Sequence, residues 1–146
     1  MDILEFLCGR QSDLMGRNLS DIWSYDDKQI EETHDFIQFL FPLNEPSKSS
    51  FHGFYLTEDD VCKIIESSEA KTNIINSSEW FIGFLDRNRI WLDGYNHNQL
   101  RITRVIKCLR LLVGDDAADH WRDRVIAFVG VTSGIPDESL TFWKNA

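Results

Sequence analysis

The chain has 146 residues, 42% of them hydrophobic and 12% aromatic, and a formal net charge of −9. This length predicts one domain, residues 1–146, with enough apolar side chains to form a core without metals or disulfides. The negative charge argues against general nucleic-acid binding, which needs clustered lysine and arginine, and no apolar run is long enough to span a bilayer.

The first long amphipathic pattern follows an aspartate pair at positions 26–27 and runs to Pro42, which ends it. Apolar side chains recur at helical spacing, and acidic residues fill the first turn, where the helix dipole favours them. We therefore predict one continuous helix over this stretch. His34 and Gln38 would then lie four residues apart on one face.

The middle of the chain contains a predicted loop and two predicted helices. Residues 44–52 are polar and contain proline, which predicts the loop. Thr57 and Asp60 form the pattern of a capping box at the start of the next helix. A further helix ends near Leu85, and an irregular aromatic connection containing Trp91 follows.

Three more helices are predicted in the last third of the chain. The first begins at Asn96 or Asn98 and stops at Gly114, and the second begins at Asp115 or Asp116. The last runs from Pro136 to Trp143. No period-two alternation is present, so the fold class predicted is all-α, a compact bundle of about six helices.

Ten apolar residues are predicted to form the centre of the core. They are Phe36, Ile37, Leu40, Phe41, Leu100, Val105, Ile106, Leu109, Trp121 and Phe128. Four basic residues spaced three apart, Arg101, Arg104, Lys107 and Arg110, form a strip along the helix that begins near residue 97. Two interpretations of the strip stay open, a solvated face that pairs with acidic neighbours and a site for an anion or an acidic partner.

The cysteines and the N-terminus indicate a reducing compartment. Cys8, Cys62 and Cys108 are odd in number and widely spaced, so we expect free thiols in a cytoplasmic protein. Acidic residues stand near the N-terminus in place of the basic segment of a signal peptide.

Patterns of catalytic and metal sites are nearly absent. Glu31 and His34 have the i, i+3 spacing that di-iron bundles use, but no second copy follows, so we expect no metal ion. Nucleophile-elbow, phosphate-loop and dinucleotide motifs are missing, and we expect no cofactor.

Two segments carry a resemblance to a known family. Residues 32–47, ETHDFIQFLFPLNEPS, closely resemble the pattern THDYIQWLFP-L-PEPS of the opioid growth factor receptor conserved region. Residues 97–109, HNQLRITRVIKCL, are similar to that family's HN-LRITRIL, and residues 16–27 are similar to its G-R-L-DI-W-WDD. The resemblance extends from about residue 3 to about residue 128.

The resemblance implies a non-enzymatic, receptor-like binding domain. The vertebrate family is named for binding methionine-enkephalin and restraining proliferation, but the long repeat tail of its vertebrate members is absent from this sequence. The chain looks more like a microbial member, for which an opioid peptide is an implausible ligand. We expect an unknown peptide, protein or small anionic ligand.

The candidate site combines the two segments that carry the resemblance. If their helices pack together, His34 and Gln38 would face Arg101 and Arg104, and Trp23 or Trp91 would form the rim. Arginine donors in such a patch suit a carboxylate or phosphate. A purely structural polar network is the alternative interpretation of the same residues. Two alternative functions also stay open, an enzyme that uses His34 with Arg101 or Arg104, and a structural interaction module, for example a homodimer.

Overall fold

The computed structural model describes residues 1–46, 54–130 and 134–146, and these residues form helices, turns and extended connections without a strand. The predicted all-α class is therefore confirmed. The elements are α1 (Ile3–Leu7), α2 (Leu19–Trp23), α3 (Asp27–Glu32), α4 (Ile37–Leu40), α5 (Glu58–Glu66), α6 (Ser68–Arg87), a 3₁₀ turn (Arg89–Leu92), α7 (His97–Leu112), α8 (Asp115–Ala127) and α9 (Asp137–Asn145).

The nine α-helices of the described residues exceed the predicted six for two reasons. The predicted helix from residue 27 to residue 41 is broken into α3 and α4, and the short helices α1 and α2 were not predicted. Asn18 begins α2 with a reciprocal capping box, in which the Asn18 and Asp21 side chains each accept a backbone N–H. Most of the predicted loop at residues 44–52 lies outside the described residues.

Several helix boundaries follow the predicted local signals. Thr57 and Asp60 form the predicted capping box of α5, and Asn96 is the N-cap of α7. Gly114, rather than an aspartate, precedes α8, and its φ of 146° is a conformation that favours glycine. α8 ends at Ala127, so Phe128 lies just beyond it and is only partly buried.

α7 is the central element, because it packs against α5, α6, α8 and α9. Of the ten predicted core residues, eight are buried, and Phe128 is partly buried. Leu100 was predicted wrongly, since 75% of it is exposed. It lies on the solvent side of α7 with Lys107, seven residues on, whereas Ile102 and Val105 face the core.

Three tryptophans fill the layer between α6 and the last two helices. Trp91, Trp121 and Trp143 are almost completely buried, and each indole N–H donates a hydrogen bond to a backbone carbonyl. Within the described part of the chain, no helix combines the length and apolar character that crossing a bilayer would require.

Candidate functional site

The two segments that define the predicted site lie side by side. α7 runs along residues 30–45 in the same direction, and hydrogen bonds join the two segments along their length. In order along α7, the hydrogen bonds join Asn98 to Glu31, Arg101 to Ile30 and Thr33, Arg104 to Phe41, and Lys107 to Glu45. The expected packing of the segments against each other is therefore confirmed.

Arg101 is a buried structural residue. Its Nη1 donates to the carbonyl of Ile30 at 2.8 Å, and its Nη2 donates to the carbonyl of Thr33 at 2.6 Å. Its guanidinium also lies over the Phe36 ring, 5.4 Å from the centroid. Burial lowers the pKa of Arg101 to about 10. Because both terminal nitrogens already bond backbone carbonyls, this geometry favours the structural interpretation of Arg101.

His34 does not share a helix face with Gln38, which corrects the sequence interpretation. His34 lies in the break between α3 and α4, and its ring packs edge-on against His97 with 5.4 Å between centroids. His97 Nε2 is 3.0 Å from Glu31 Oε1. Burial lowers the pKa of His97, the positive charges of Arg101 and His34 lower it further, and Glu31 acts in the opposite direction.

The cluster of Glu31, His34 and His97 extends the half-motif noted in the sequence. His97 was not among the predicted site residues, and only the helix packing brings it to the other two. Even so, no group of three potential metal ligands with suitable geometry occurs in residues 1–46, 54–130 and 134–146.

Gln38 and Arg104 keep unused hydrogen-bonding groups. Gln38 is only 1% exposed, and its side-chain oxygen and nitrogen are both buried without a partner. Arg104 Nε donates to the carbonyl of Phe41 at 2.9 Å, whereas its Nη2 is buried without a partner. These two residues retain the donors that the predicted anion site required.

Trp91 does not form the rim of a cleft. Trp91 is 0% exposed and packs against Trp143, so it was wrongly placed at a rim. Its position follows from the hydrogen bond between its indole N–H and the carbonyl of Leu85, which holds the 3₁₀ turn against the end of α6. Trp23 is partly buried, and its indole donates to Ser77 Oγ at 2.9 Å.

An open groove lies where sequence reasoning placed no site. It has a volume of about 330 Å³ and lies between the start of α7 and α9. Tyr95, Leu100 and Phe142 line it and are 77%, 75% and 54% exposed. We call it the α7–α9 groove. The signal that could have found it is the position of Leu100 on the polar face of α7.

Gln99 lies at the floor of the α7–α9 groove and forms hydrogen bonds to the elements around it. Its side-chain nitrogen donates to the carbonyls of Trp91 and Gly94, and its side-chain oxygen accepts from Ser139 Oγ at 2.7 Å. Trp143 donates its indole N–H to the Gln99 carbonyl at 3.2 Å. This network fixes α9 relative to α7, so the groove walls are preorganised.

The charge of the α7–α9 groove is slightly negative. Among its described lining residues, Glu138 is the only carboxylate and neither lysine nor arginine is present. Tyr95 Oη lies 3.4 Å from Glu138 Oε2. His97 also lines the groove, and its lowered pKa keeps it mainly neutral at neutral pH.

Comparison with known proteins supports the family resemblance, with the family model covering the first of the two segments, residues 32–47. Residues 7–89 match the model of the opioid growth factor receptor conserved region. The mouse opioid growth factor receptor is 28% identical over 140 residues, covering 84% of this chain and 21% of that protein. The human receptor is 27% identical over 124 residues, covering 73% of this chain and 18% of that protein.

A third relative has a different name. The opioid growth factor receptor-like protein 1 of Xenopus tropicalis is 29% identical over 114 residues, covering 64% of this chain and 22% of that protein. The chain thus spans about a fifth of the length of these relatives. No solved structure matches it.

Proposed function

The chain belongs to the family of the opioid growth factor receptor conserved region, and from this premise we propose that it is a non-enzymatic binding domain that holds a peptide segment in the α7–α9 groove. Relatives are named as receptors for a growth factor. That name supports a binding role, but these relatives are much longer than this chain, so the ligand has to be argued from the groove itself.

The exposed apolar side chains of the groove carry this proposal. Tyr95, Leu100 and Phe142 are among the large hydrophobic residues exposed on the described surface, and all three line one concave site. Leaving such side chains in water is unfavourable, and an apolar cluster with a polar rim is typical of a protein or peptide contact. A groove of about 330 Å³ is large enough to take one aromatic or branched side chain of a partner.

The negative charge of the chain and of the groove indicates which kind of peptide would bind. The chain has a net charge of −9, and Glu138 places a carboxylate at the groove. Opposite charge speeds encounter and disfavours acidic partners. We therefore propose a segment in which an apolar side chain is followed or preceded by lysine or arginine.

A defined peptide panel tests the proposal. Short peptides would vary a central residue among phenylalanine, leucine, alanine and glutamate, with lysine or glutamate beside it, and an opioid peptide would be included. Fluorescence anisotropy would measure binding to the wild-type chain and to Leu100→Glu and Phe142→Glu. Ile90→Glu is the matched control, because Ile90 is 65% exposed and does not line the groove.

We expect the phenylalanine–lysine peptide to bind the wild type and Ile90→Glu equally, and both groove variants to bind it at least about tenfold more weakly. The groove would be excluded as the peptide site if affinity did not depend on the central residue of the peptide. It would also be excluded if Ile90→Glu weakened binding as much as the two groove variants do. A chain that self-associates in sedimentation, and loses this with Leu100→Glu, would instead identify a second copy as the occupant.

The enzymatic alternative gains no support from the geometry. Arg101 is occupied by backbone carbonyls, and Arg104 bonds the carbonyl of Phe41, whereas His34 packs against His97. Both terminal nitrogens of Arg101 are thus engaged with backbone carbonyls, and Arg104 is anchored on Phe41, so neither contact points to a reaction at His34.

A further inference from the structure

Arg104 is a partly buried cation without a carboxylate partner within ion-pair distance in the described structure. Its Nε bonds the carbonyl of Phe41, and its Nη2 is buried and unpaired. Arg17 and Arg110, by contrast, each form ion pairs with two aspartates. No described acidic side chain lies within ion-pair distance of Arg104, which leaves its charge uncompensated in the interior.

Gln38 also lacks hydrogen-bond partners for its side chain. Its amide oxygen and nitrogen both lack a partner in the described structure, although only 1% of the residue is exposed. Buried amides normally bond protein or water on both atoms, since an unpaired buried polar group costs about 1–3 kcal/mol. Gln38 and Arg104 together contribute three unsatisfied atoms to the predicted site.

The backbone places these two residues in the same region. The guanidinium of Arg104 is fixed on the carbonyl of Phe41 at 2.9 Å, and the Phe41 N–H bonds the carbonyl of Ile37. Gln38 lies within this turn, between Ile37 and Phe41. Its backbone is therefore within about one helical turn of the point at which Arg104 is anchored.

An opening to solvent lies one turn further along α7. A hollow of about 280 Å³ is lined there by Leu43, Glu45 and Lys107, among others. Arg104 itself is only partly buried, so the side chain reaches from the interior towards the surface. Arg104 and Gln38 do not line this hollow themselves, so a bound anion would have to extend inward from it to reach the guanidinium.

We propose that Arg104 and Gln38 bind a small carboxylate that carries a neighbouring N–H or O–H donor. Arg104 Nη2 and Gln38 Nε2 would donate to the carboxylate oxygens, and Gln38 Oε1 would accept from the neighbouring donor. A 2-hydroxy acid and the C-terminal residue of a peptide share this chemistry. Desolvation lowers the pKa of Arg104, and a bound anion would restore it.

Three probe molecules distinguish the possible sources of the ligand. Acetate has the carboxylate without a donor, glycolate adds an O–H, and N-acetylglycine adds an N–H as a peptide C-terminus does. Thermal denaturation and NMR titration of the full chain would follow each probe at constant ionic strength, with chloride as the reference salt. We expect glycolate or N-acetylglycine to raise the melting temperature more than acetate does.

Substitutions then test the two residues separately. Gln38→Leu keeps the approximate volume but removes the amide, and Arg104→Gln removes the charge. Each should weaken the preferred probe at least about tenfold, the effect of one lost charge-assisted hydrogen bond. Arg10→Gln is the matched control, because it removes an exposed arginine that is already paired with Glu5 and Glu69 and lies away from this site.

The results for carboxylate binding can be distinguished from the results for peptide binding in the α7–α9 groove. Leu100→Glu should leave carboxylate binding unchanged, and Gln38→Leu should leave peptide binding in the α7–α9 groove unchanged. If all probes act like chloride, or if Arg10→Gln weakens the preferred probe as much as Arg104→Gln, the proposal is wrong. Ordered water alone at Gln38 in a crystal grown with saturating probe would equally overturn it.

Discussion

Arg101 Nη2 donates a hydrogen bond to the backbone carbonyl of Thr33 at 2.6 Å, and this contact helps to hold the break between α3 and α4. In a continuous helix the Thr33 carbonyl would accept from the N–H of Ile37, and the Ile30 carbonyl would accept from His34. Arg101 occupies both carbonyls. Arg17 acts similarly on the carbonyl of Asp35 at 3.1 Å.

Replacing Arg101 with alanine should therefore destabilise the fold. One buried and one partly buried carbonyl would lose charged donors, so we expect a loss of about 3 kcal/mol in the free energy of unfolding in a urea titration. Arg101→Lys should recover part of it, because a single ammonium cannot reproduce the guanidinium fork. Arg10→Ala, which removes an exposed ion-pairing arginine, is the control and should change the free energy of unfolding by less than about 1 kcal/mol.

The Arg101→Ala variant also tests whether Arg101 stabilises the fold or takes part in ligand binding. The surviving folded fraction of Arg101→Ala should still bind peptide in the α7–α9 groove, since Arg101 does not line it. Loss of all peptide binding at an unchanged free energy of unfolding would instead show that Arg101 belongs to the ligand site.

Phe41→Ala should be strongly destabilising. Phe41 is 0% exposed and packs edge-on against Phe81 at 6.5 Å between ring centroids. Lost transfer energy and the remaining cavity together predict a loss of about 3–5 kcal/mol in denaturant unfolding. Phe142→Ala removes the same group from a 54% exposed position, and we expect less than about 1 kcal/mol. Similar losses for the two variants would contradict the assigned burial.

The thiols should differ sharply in reactivity. All three cysteines are free, Cys62 is exposed, and Cys8 and Cys108 are buried. Burial also raises the pKa of Cys108, so its thiolate is scarce at neutral pH. A thiol reagent should modify Cys62 quickly in the native protein and the other two only after unfolding. Fast native labelling of Cys108, or a disulfide in the non-reduced mass, would disagree with this.

Stability should fall in mildly acidic solution because of His97. Its folded-state pKa is lowered, by burial first and then by neighbouring positive charge, so the unfolded chain binds the proton more readily. The loss should begin as pH falls through about 6.5, the unfolded value, and be complete below the folded pKa.

Urea titrations at about pH 7.5 and about pH 5.5 would measure the effect, with the pH dependence reduced in His97→Gln. His120→Gln, at an exposed position, is the control and should keep the wild-type dependence. A protein that instead gains stability through His97 on acidification would show that the ion pair with Glu31 at 3.0 Å outweighs desolvation.

The sequence by itself determined the class of the fold and many local boundaries. The capping box of Thr57 and Asp60 and the Asn96 cap depend on side chains within a few residues of the backbone they bond, so their pattern is sufficient. The two family-like segments also predicted correctly that α7 packs along residues 30–45. Eight of the ten predicted core residues are buried, as helical spacing indicated.

Tertiary structure alone decided where that spacing was interrupted and which polar groups stayed free. The break between α3 and α4 depends on Arg101, which is remote in sequence, and local periodicity cannot report a carbonyl taken by a distant donor. Trp91 is buried and Leu100 exposed because α9 packs beside the start of α7. The same packing forms the α7–α9 groove, because Ser139 and Trp143 hold α9 against Gln99 and leave Leu100 and Phe142 exposed beside this contact.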